Sequence, residues 1–358
     1  MFAALKVLVM AGIASIAAMA LAGDVVEGER GQKIDRYLTR QAEDGFSGVI
    51  LAAQGGKLVI AKGYGLADQE NEVPFTPDTP FSVGSLTKQF TAAAILKLEM
   101  QDKLRVTDKV SKYFDNVPPD KQSMTLHHLL THSSGLKSDF GRDYDPMTRK
   151  QIIKQCMESE LLWPPGTRYR YSNAGYSLLA AIIEQLTGDS YERYLHDQLF
   201  QPAGMMSTGY KIPKWDRAKL AHGYLRDGKD WGTMLDHRWD SDGPYWNLRG
   251  NGGIMSTAKD MFRWHQALNG NQILSDEAKR KYFTAHVREE PASTYYGYGW
   301  VVVDRKDKGK VLWHDGSNGV FFADAMRYLD DDVFLLMASN RADRMIGQHK
   351  TALVNMVR

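Results

Sequence analysis

The chain has 358 residues, with 45 lysines and arginines against 43 aspartates and glutamates, so its formal charge is only +2. That balance, without a basic run interleaved with aromatics, argues against a nucleic-acid partner held through its phosphates. A hydrophobic content of 43% supports a large core, and a single cysteine, Cys156, rules out an intramolecular disulfide, so packing must supply the stability.

Residues 1–22 carry Lys6, an apolar stretch over 7–16 and the small-residue pattern Ala20-Leu21-Ala22, which together read as a secretory signal peptide. The alternative, a permanent membrane anchor, calls for a longer apolar span. With the signal removed, residues 23–358 are expected to be periplasmic or secreted, without stable membrane insertion. A helix is predicted over 34–41. A hairpin follows, with strands over 46–53 and 58–61 around Gly55-Gly56. Phe90, Ala93, Ala94 and Leu98 recur at helical spacing, predicting a helix over 87–100 that begins at or just after Ser85. From about 107 to 269, helical stretches alternate with loops rich in Pro, Gly, Trp and Tyr; Cys156 falls on one such apolar stretch as a buried filler. Strands return at 298–303, 311–313, 320–323 and 333–337. Strands at both ends with helices between predict an α+β fold, an antiparallel sheet flanked by helices with a mainly helical inserted subdomain. In a single domain over 23–358, the sheet part is 24–82 with 250–358, and the helical part is 83–249.

A serine hydroxyl becomes a nucleophile when a base takes its proton and donors receive the oxyanion that follows. Three segments place a lysine three residues after a serine: Ser85-Leu86-Thr87-Lys88, Ser134-Gly135-Leu136-Lys137 and Ser256-Thr257-Ala258-Lys259. Positions three apart share a face only on a helix, and Gly135 makes the second segment a turn. The third precedes Asp260, Met261 and Trp264, where a serine or threonine serves as a helix cap. The first follows Gly84, where an extended chain can turn into a helix, and a helix N-terminus favours developing negative charge. Taken alone, Ser85 could equally be an N-cap and Lys88 a solvated lysine.

Two segments match Y-x-N. Tyr245-Trp246-Asn247 sits in a loop after Pro244, whereas Tyr171-Ser172-Asn173 follows Pro164-Pro165-Gly166 and leads into a helix expected near Gly175. A tyrosine can act as a general base if a nearby ammonium lowers its pKa, and an asparagine amide can orient both a lysine and a substrate carbonyl. His314-Asp315-Gly316 comes at the end of a short strand, where glycine lets a substrate lie beside the strand edge. Ser317 can then offer a backbone N–H as a second oxyanion donor beside that of Ser85.

Together these residues resemble the serine β-lactamase and penicillin-recognising group, most closely its class C, D-alanyl-D-alanine carboxypeptidase and esterase branch. The three motifs occur in that family's order, with 86 residues from Ser85 to Tyr171. The resemblance extends to Thr131-His132-Ser133-Ser134-Gly135-Leu136, Pro165-Gly166-Thr167 and Gly252-Gly253-Ile254-Met255-Ser256-Thr257. It implies that Ser85 is acylated, that Lys88 and Tyr171 exchange its proton, that Asn173 contacts substrate, and that His314 and Gly316 line the pocket. It also makes Ser134 and Ser256 structural. One departure stands out: His314 occupies the place of a lysine in the family's K-T-G. A histidine is mostly neutral at pH 7, so recognition of a free carboxylate should weaken. That shifts weight from penicillins toward other peptides, D-amino-acid amides or esters. If His314 must be protonated to hold an anionic substrate, such substrates should lose kcat/KM as pH rises.

His127, His128 and His132 include a pair spaced for zinc on a helix, but H-E-x-x-H is absent and no metal or other cofactor is expected. The segment from Trp231 to Trp246 is given no role. Small-molecule or peptide substrates are the expected partners. A true β-lactamase and a receptor that acylates without turnover both remain open readings.

Overall fold

The computed structural model describes residues 23–305, 309–341 and 345–358, and the expected signal segment lies outside them. Nine strands form one antiparallel sheet: β1 (Val25–Val26), β2 (Gly48–Gln54), β3 (Lys57–Tyr64), β4 (Val287–Arg288), β5 (Tyr295–Tyr296), β6 (Val301–Arg305), β7 (Gly309–Ser317), β8 (Phe322–Tyr328) and β9 (Val333–Ser339). Their order across the sheet is β1-β3-β2-β9-β8-β7-β6-β5-β4, so chain ends far apart in sequence meet at the β2–β9 pairing. The β2–β3 hairpin turns on Gly55 and Gly56, both with positive φ, as the glycine pair requires.

Strand β2 is apolar nearly throughout because both sheet faces are covered. Ile50 and Ala52 point into one core with Ile34, Leu38, Leu353 and Val357, beneath helices α1 (Gly28–Glu43) and α9 (Met345–Val357). Val49, Leu51 and Ala53 point into the larger core on the other face. There Phe90 of helix α2 (Thr87–Met100) meets Phe200 and Trp264 edge-on, each with ring centroids 5.0 Å apart. The intervening helices are α3 (Leu126–Leu130), α4 (Arg149–Glu158), α5 (Asn173–Thr187), α6 (Tyr191–Leu195), α7 (Ala258–Asn269) and α8 (Asp276–Tyr282).

Several elements differ from expectation, among them β8, predicted over 320–323 and observed at Phe322–Tyr328. Helix α1 begins at Gly28, six residues before the predicted 34, because its polar first turns lie on the surface where no apolar period marks them. The strand predicted over 311–313 is the nine-residue β7, and His314-Asp315-Gly316, expected at a strand end, forms its last part with Ser317, paired residue for residue with β8. The strand predicted over 298–303 starts only at Val301: Gly299 takes φ +75°, and a Cβ there would lie 2.7 Å from the Lys88 carbonyl oxygen. That turn presses one end of the sheet against the first turn of α2.

Candidate active site

Ser85 sits in a short 3₁₀ turn, Gly84–Leu86, that runs directly into α2. The preceding Phe81–Ser82 pairs with Met255–Ser256, which fixes the approach of the chain. Lys88 is fully buried, with Nζ 3.0 Å from Ser85 Oγ and donating to the Asn251 carbonyl at 2.7 Å. Its ammonium also lies over the rings of Tyr171 and Tyr176, 4.7 and 5.7 Å from their centroids. Burial brings the Lys88 pKa down to about 7, against the opposing pull of Asp139, Asp143 and Asp315. A substantial fraction of this amine is therefore neutral at neutral pH, with its lone pair available to the serine.

Tyr171 precedes Ser172, whose hydroxyl caps α5 by accepting from the Gly175 N–H at 3.1 Å. The tyrosine hydroxyl hydrogen-bonds Ser85. Burial raises its pKa well above the ordinary tyrosine value, and Asp315, Asp139 and Glu289 push the same way. The condition under which Tyr171 could act as a phenolate base, a pKa lowered by a nearby ammonium, is thus not met, because burial raises it. His132 lies under Tyr171 with ring centroids 4.2 Å apart, and its Nδ1 accepts the Ser172 N–H at 3.0 Å. Buried and neutral, it fixes the tyrosine from below. A hydrogen-bonded structural role, rather than metal binding, is what the sequence leads one to expect of His132, which also holds a rare positive φ of 55° for a residue other than glycine.

Strand β7 brings His314, Gly316 and Ser317 to the same place. A Cβ on Gly316 would lie 2.1 Å from the Val83 carbonyl oxygen and 2.6 Å from Ser85 N, and one on Gly84 would lie 2.6 Å from Ser317 N. The two backbones touch through their glycines, which brings the Ser85 and Ser317 backbone nitrogens close together. Gly316→Ala is expected to pry them apart and lower kcat about 10²- to 10³-fold, the loss typical of one oxyanion donor, with a fall in melting temperature read on the same sample. An alanine variant retaining full kcat would show that this contact does not matter.

His314 is neutral, as expected of a histidine at pH 7, and supplies no cation. Its side chain is buried, and burial brings the pKa down to about 4. Nδ1 lies 2.6 Å from the Asp315 carbonyl oxygen, so it carries the proton, and Nε2 accepts from the Tyr296 hydroxyl at 2.9 Å. Both nitrogens are committed within the protein. Asn173 donates Nδ2 to Asp139 at 2.8 Å, while its Oδ1 is buried without a partner.

Beside Ser85 opens a cleft of about 340 Å³ lined by Asp143, Asn173, Met234, Ser317 and Asn318 among others. Met234 comes from the 231–246 segment left without a role, where the Trp231 and His237 rings stack at 3.6 Å. A second cleft of about 610 Å³, lined by Ser138, Tyr169, Arg170 and Glu290, borders the far side of Tyr171.

The competing motifs fall elsewhere. Ser134 accepts from the Leu136 N–H within a turn. Ser256 is buried against Thr208, Thr257 caps α7, and Lys259 pairs with Asp78. Asn247 bonds the Arg142 carbonyl. His127 contacts the Tyr298 hydroxyl, while His128 closes the cap of α3, so those imidazoles diverge from His132. Asp68, Glu70 and His222 do converge, with ligand atoms within 4.8 Å of one another, but none of them lines either cleft.

A nine-stranded antiparallel sheet with a helical layer on each face and a helical insertion, carrying a serine and a buried lysine one turn apart, defines a serine hydrolase of the penicillin-recognising type. The sequence matches the Beta-lactamase family profile over residues 34–355, and the chain belongs to that family. Penicillin-binding protein 4* of Bacillus subtilis (strain 168) is 30% identical over 316 residues, 83% of this chain and 69% of that protein. The putative penicillin-binding protein PbpX of the same organism is 34% identical over 274 residues, 76% of this chain and 66% of that one. The chain thus spans about two thirds of the length of these relatives. The octameric penicillin-binding protein homologue from Pyrococcus abyssi superimposes with a TM-score of 0.78 at 26% identity, covering 91% of this chain and 77% of that structure's.

Proposed function

We propose that this chain is an exported hydrolase that forms an acyl-enzyme on Ser85 and acts on ester, amide or peptide acyl donors. The observation that carries this reading is the buried Lys88 amine, brought to a pKa of about 7 and held 3.0 Å from Ser85 Oγ. Neutral Lys88 takes the serine proton as Oγ bonds to the carbonyl carbon. The Ser85 and Ser317 N–H groups receive the oxyanion. Tyr171, a phenol bonded to Ser85, relays the proton to the departing group, and water then cleaves the acyl-enzyme by the reverse path. Asn173, His314 and Gly316 shape the cleft, with His314 acting as a neutral wall. Export is supported by the apolar 7–16 stretch and the Ala20-Leu21-Ala22 pattern. Among the described residues no helix is long and apolar enough to cross a membrane.

The pH profile of kcat on a short-chain nitrophenyl ester tests the proposal. Activity should rise as Lys88 loses its proton near pH 7 and level off above it. A carboxylate-bearing ester should follow the same curve, because a histidine brought to about 4 is already neutral there. A selective decline for the anionic ester with rising pH would restore His314 as its cation. Covalent labelling of Ser85 without turnover would favour a receptor.

A further inference from the structure

Tyr296 lies on the two-residue strand β5, and its side chain is fully buried. It lines neither cleft, so it has no reach to a substrate. Its neighbours are nevertheless the site itself. The hydroxyl donates to His314 Nε2 at 2.9 Å. The ring stands 4.5 Å from that of His132, 5.8 Å from that of Tyr169 and, edge-on, 6.3 Å from that of Tyr171. One side chain thus touches both the strand that presents Gly316 and Ser317 and the imidazole that lies under Tyr171.

A phenol packed on several sides by other rings has little freedom to turn, so its hydroxyl points in a fixed direction. That direction decides the state of His314. Nδ1 donates to the Asp315 carbonyl at 2.6 Å, which leaves Nε2 as the acceptor, and the Tyr296 proton occupies it. A second proton on Nε2 would require that hydroxyl to turn away. Of the charged groups around the imidazole, Asp315 on its own strand favours the cation, while Lys88 of α2 and Lys350 of α9 oppose it along with burial. His132, following α3, also faces it and is itself neutral. Tyr171 and Tyr296 are both kept as phenols by burial.

We infer that Tyr296 is a positioning residue of the Ser85 site: its hydroxyl holds His314 as the Nδ1–H tautomer on β7, and its ring holds His132, and through it Tyr171, in place for proton transfer to and from Ser85. This inference rests on the hydrolase reading above. No bond is made or broken at Tyr296. Its contribution is to the alignment of the groups that do react, and misalignment is read in rate rather than in substrate binding.

Tyr296→Phe removes the hydroxyl and keeps the ring, whereas Tyr296→Leu removes both. On a short-chain nitrophenyl ester at pH 8, kcat is expected to fall about tenfold in the first and about a hundredfold in the second, with KM within about twofold of native. Titration of acylated Ser85 counts the active sites, so a loss of folded protein does not enter kcat. Histidine ¹⁵N spectra of the native protein between pH 5 and 8 give a reading that needs no variant: His314 should remain in the Nδ1–H form throughout. In Tyr296→Phe, Nε2 is left without its donor and should take a proton within that range. Unchanged kcat in both variants, a rise in KM alone, or an Nε2–H His314 in the native protein would each overturn this inference and leave the hydrolase reading intact. No turnover of the ester by the native protein would overturn both.

Discussion

Lys88→Met is expected to abolish turnover while making the protein more stable. Without the amine, Ser85 has no base of suitable pKa within reach, since Tyr171 is held in its phenol form; kcat should fall about 10⁴-fold or more. The gain in stability follows from the same burial. Lys88 is brought from 10.5 to about 7, so between those pH values the unfolded chain holds a proton that the folded chain does not. Folded stability therefore rises with pH across that window, and below it the penalty is present in full. A shift of that size is worth on the order of 4 kcal/mol. Methionine leaves the Asn251 carbonyl without its partner, which costs about 1–3 kcal/mol. The net gain, about 2 kcal/mol at pH 7, should shrink as the pH approaches 10 and native Lys88 no longer differs from its unfolded state. Denaturant melts at pH 7 and 10 read it. A variant less stable at pH 7 by several kcal/mol would mean that the lysine was placed there for packing.

Ser85→Ala should cost as much in rate without the gain in stability. Its hydroxyl bonds the Lys88 amine and the Tyr171 hydroxyl, so the alanine leaves both groups with one partner fewer. With the nucleophile gone, the oxyanion donors retain only the ability to bind. kcat/KM on an activated ester should drop by about 10⁴ to 10⁶. Ser134→Ala and Ser256→Ala serve as comparisons, because the first hydroxyl serves a turn and the second a buried contact with Thr208.

Much of the architecture was legible in the residues. The apolar period over 87–100 marks α2 at its observed limits, and Gly55-Gly56 marks the β2–β3 turn, because helix period and turn chemistry are local properties. The motif pairs Ser85 with Lys88 and Tyr171 with Asn173 were also visible, and the fold does bring them together around Ser85. What local pattern could not convey was the electrostatics. Whether Lys88 or Tyr171 is the base depends on how much water each loses, and that is set by Asn251, His132 and Tyr176, residues distant in sequence. For His314 the neutral form expected of a histidine at pH 7 is reinforced by burial, which no local pattern shows. Strand β7 was underestimated because His-Asp-Gly-Ser has little intrinsic strand preference, and its pairing with β8 overrides that. Met234 and Asp143 reach the cleft from irregular segments, where periodicity carries no information.

The central claim is that Ser85 carries the acyl group, and peptide mass mapping after acid quench with an activated ester tests it most directly. The account predicts a mass increase equal to the acyl group on the peptide containing Ser85, decaying as substrate is consumed and absent from Ser85→Ala. An adduct on Ser134 or Ser256, or turnover by Ser85→Ala at the native rate, would contradict it.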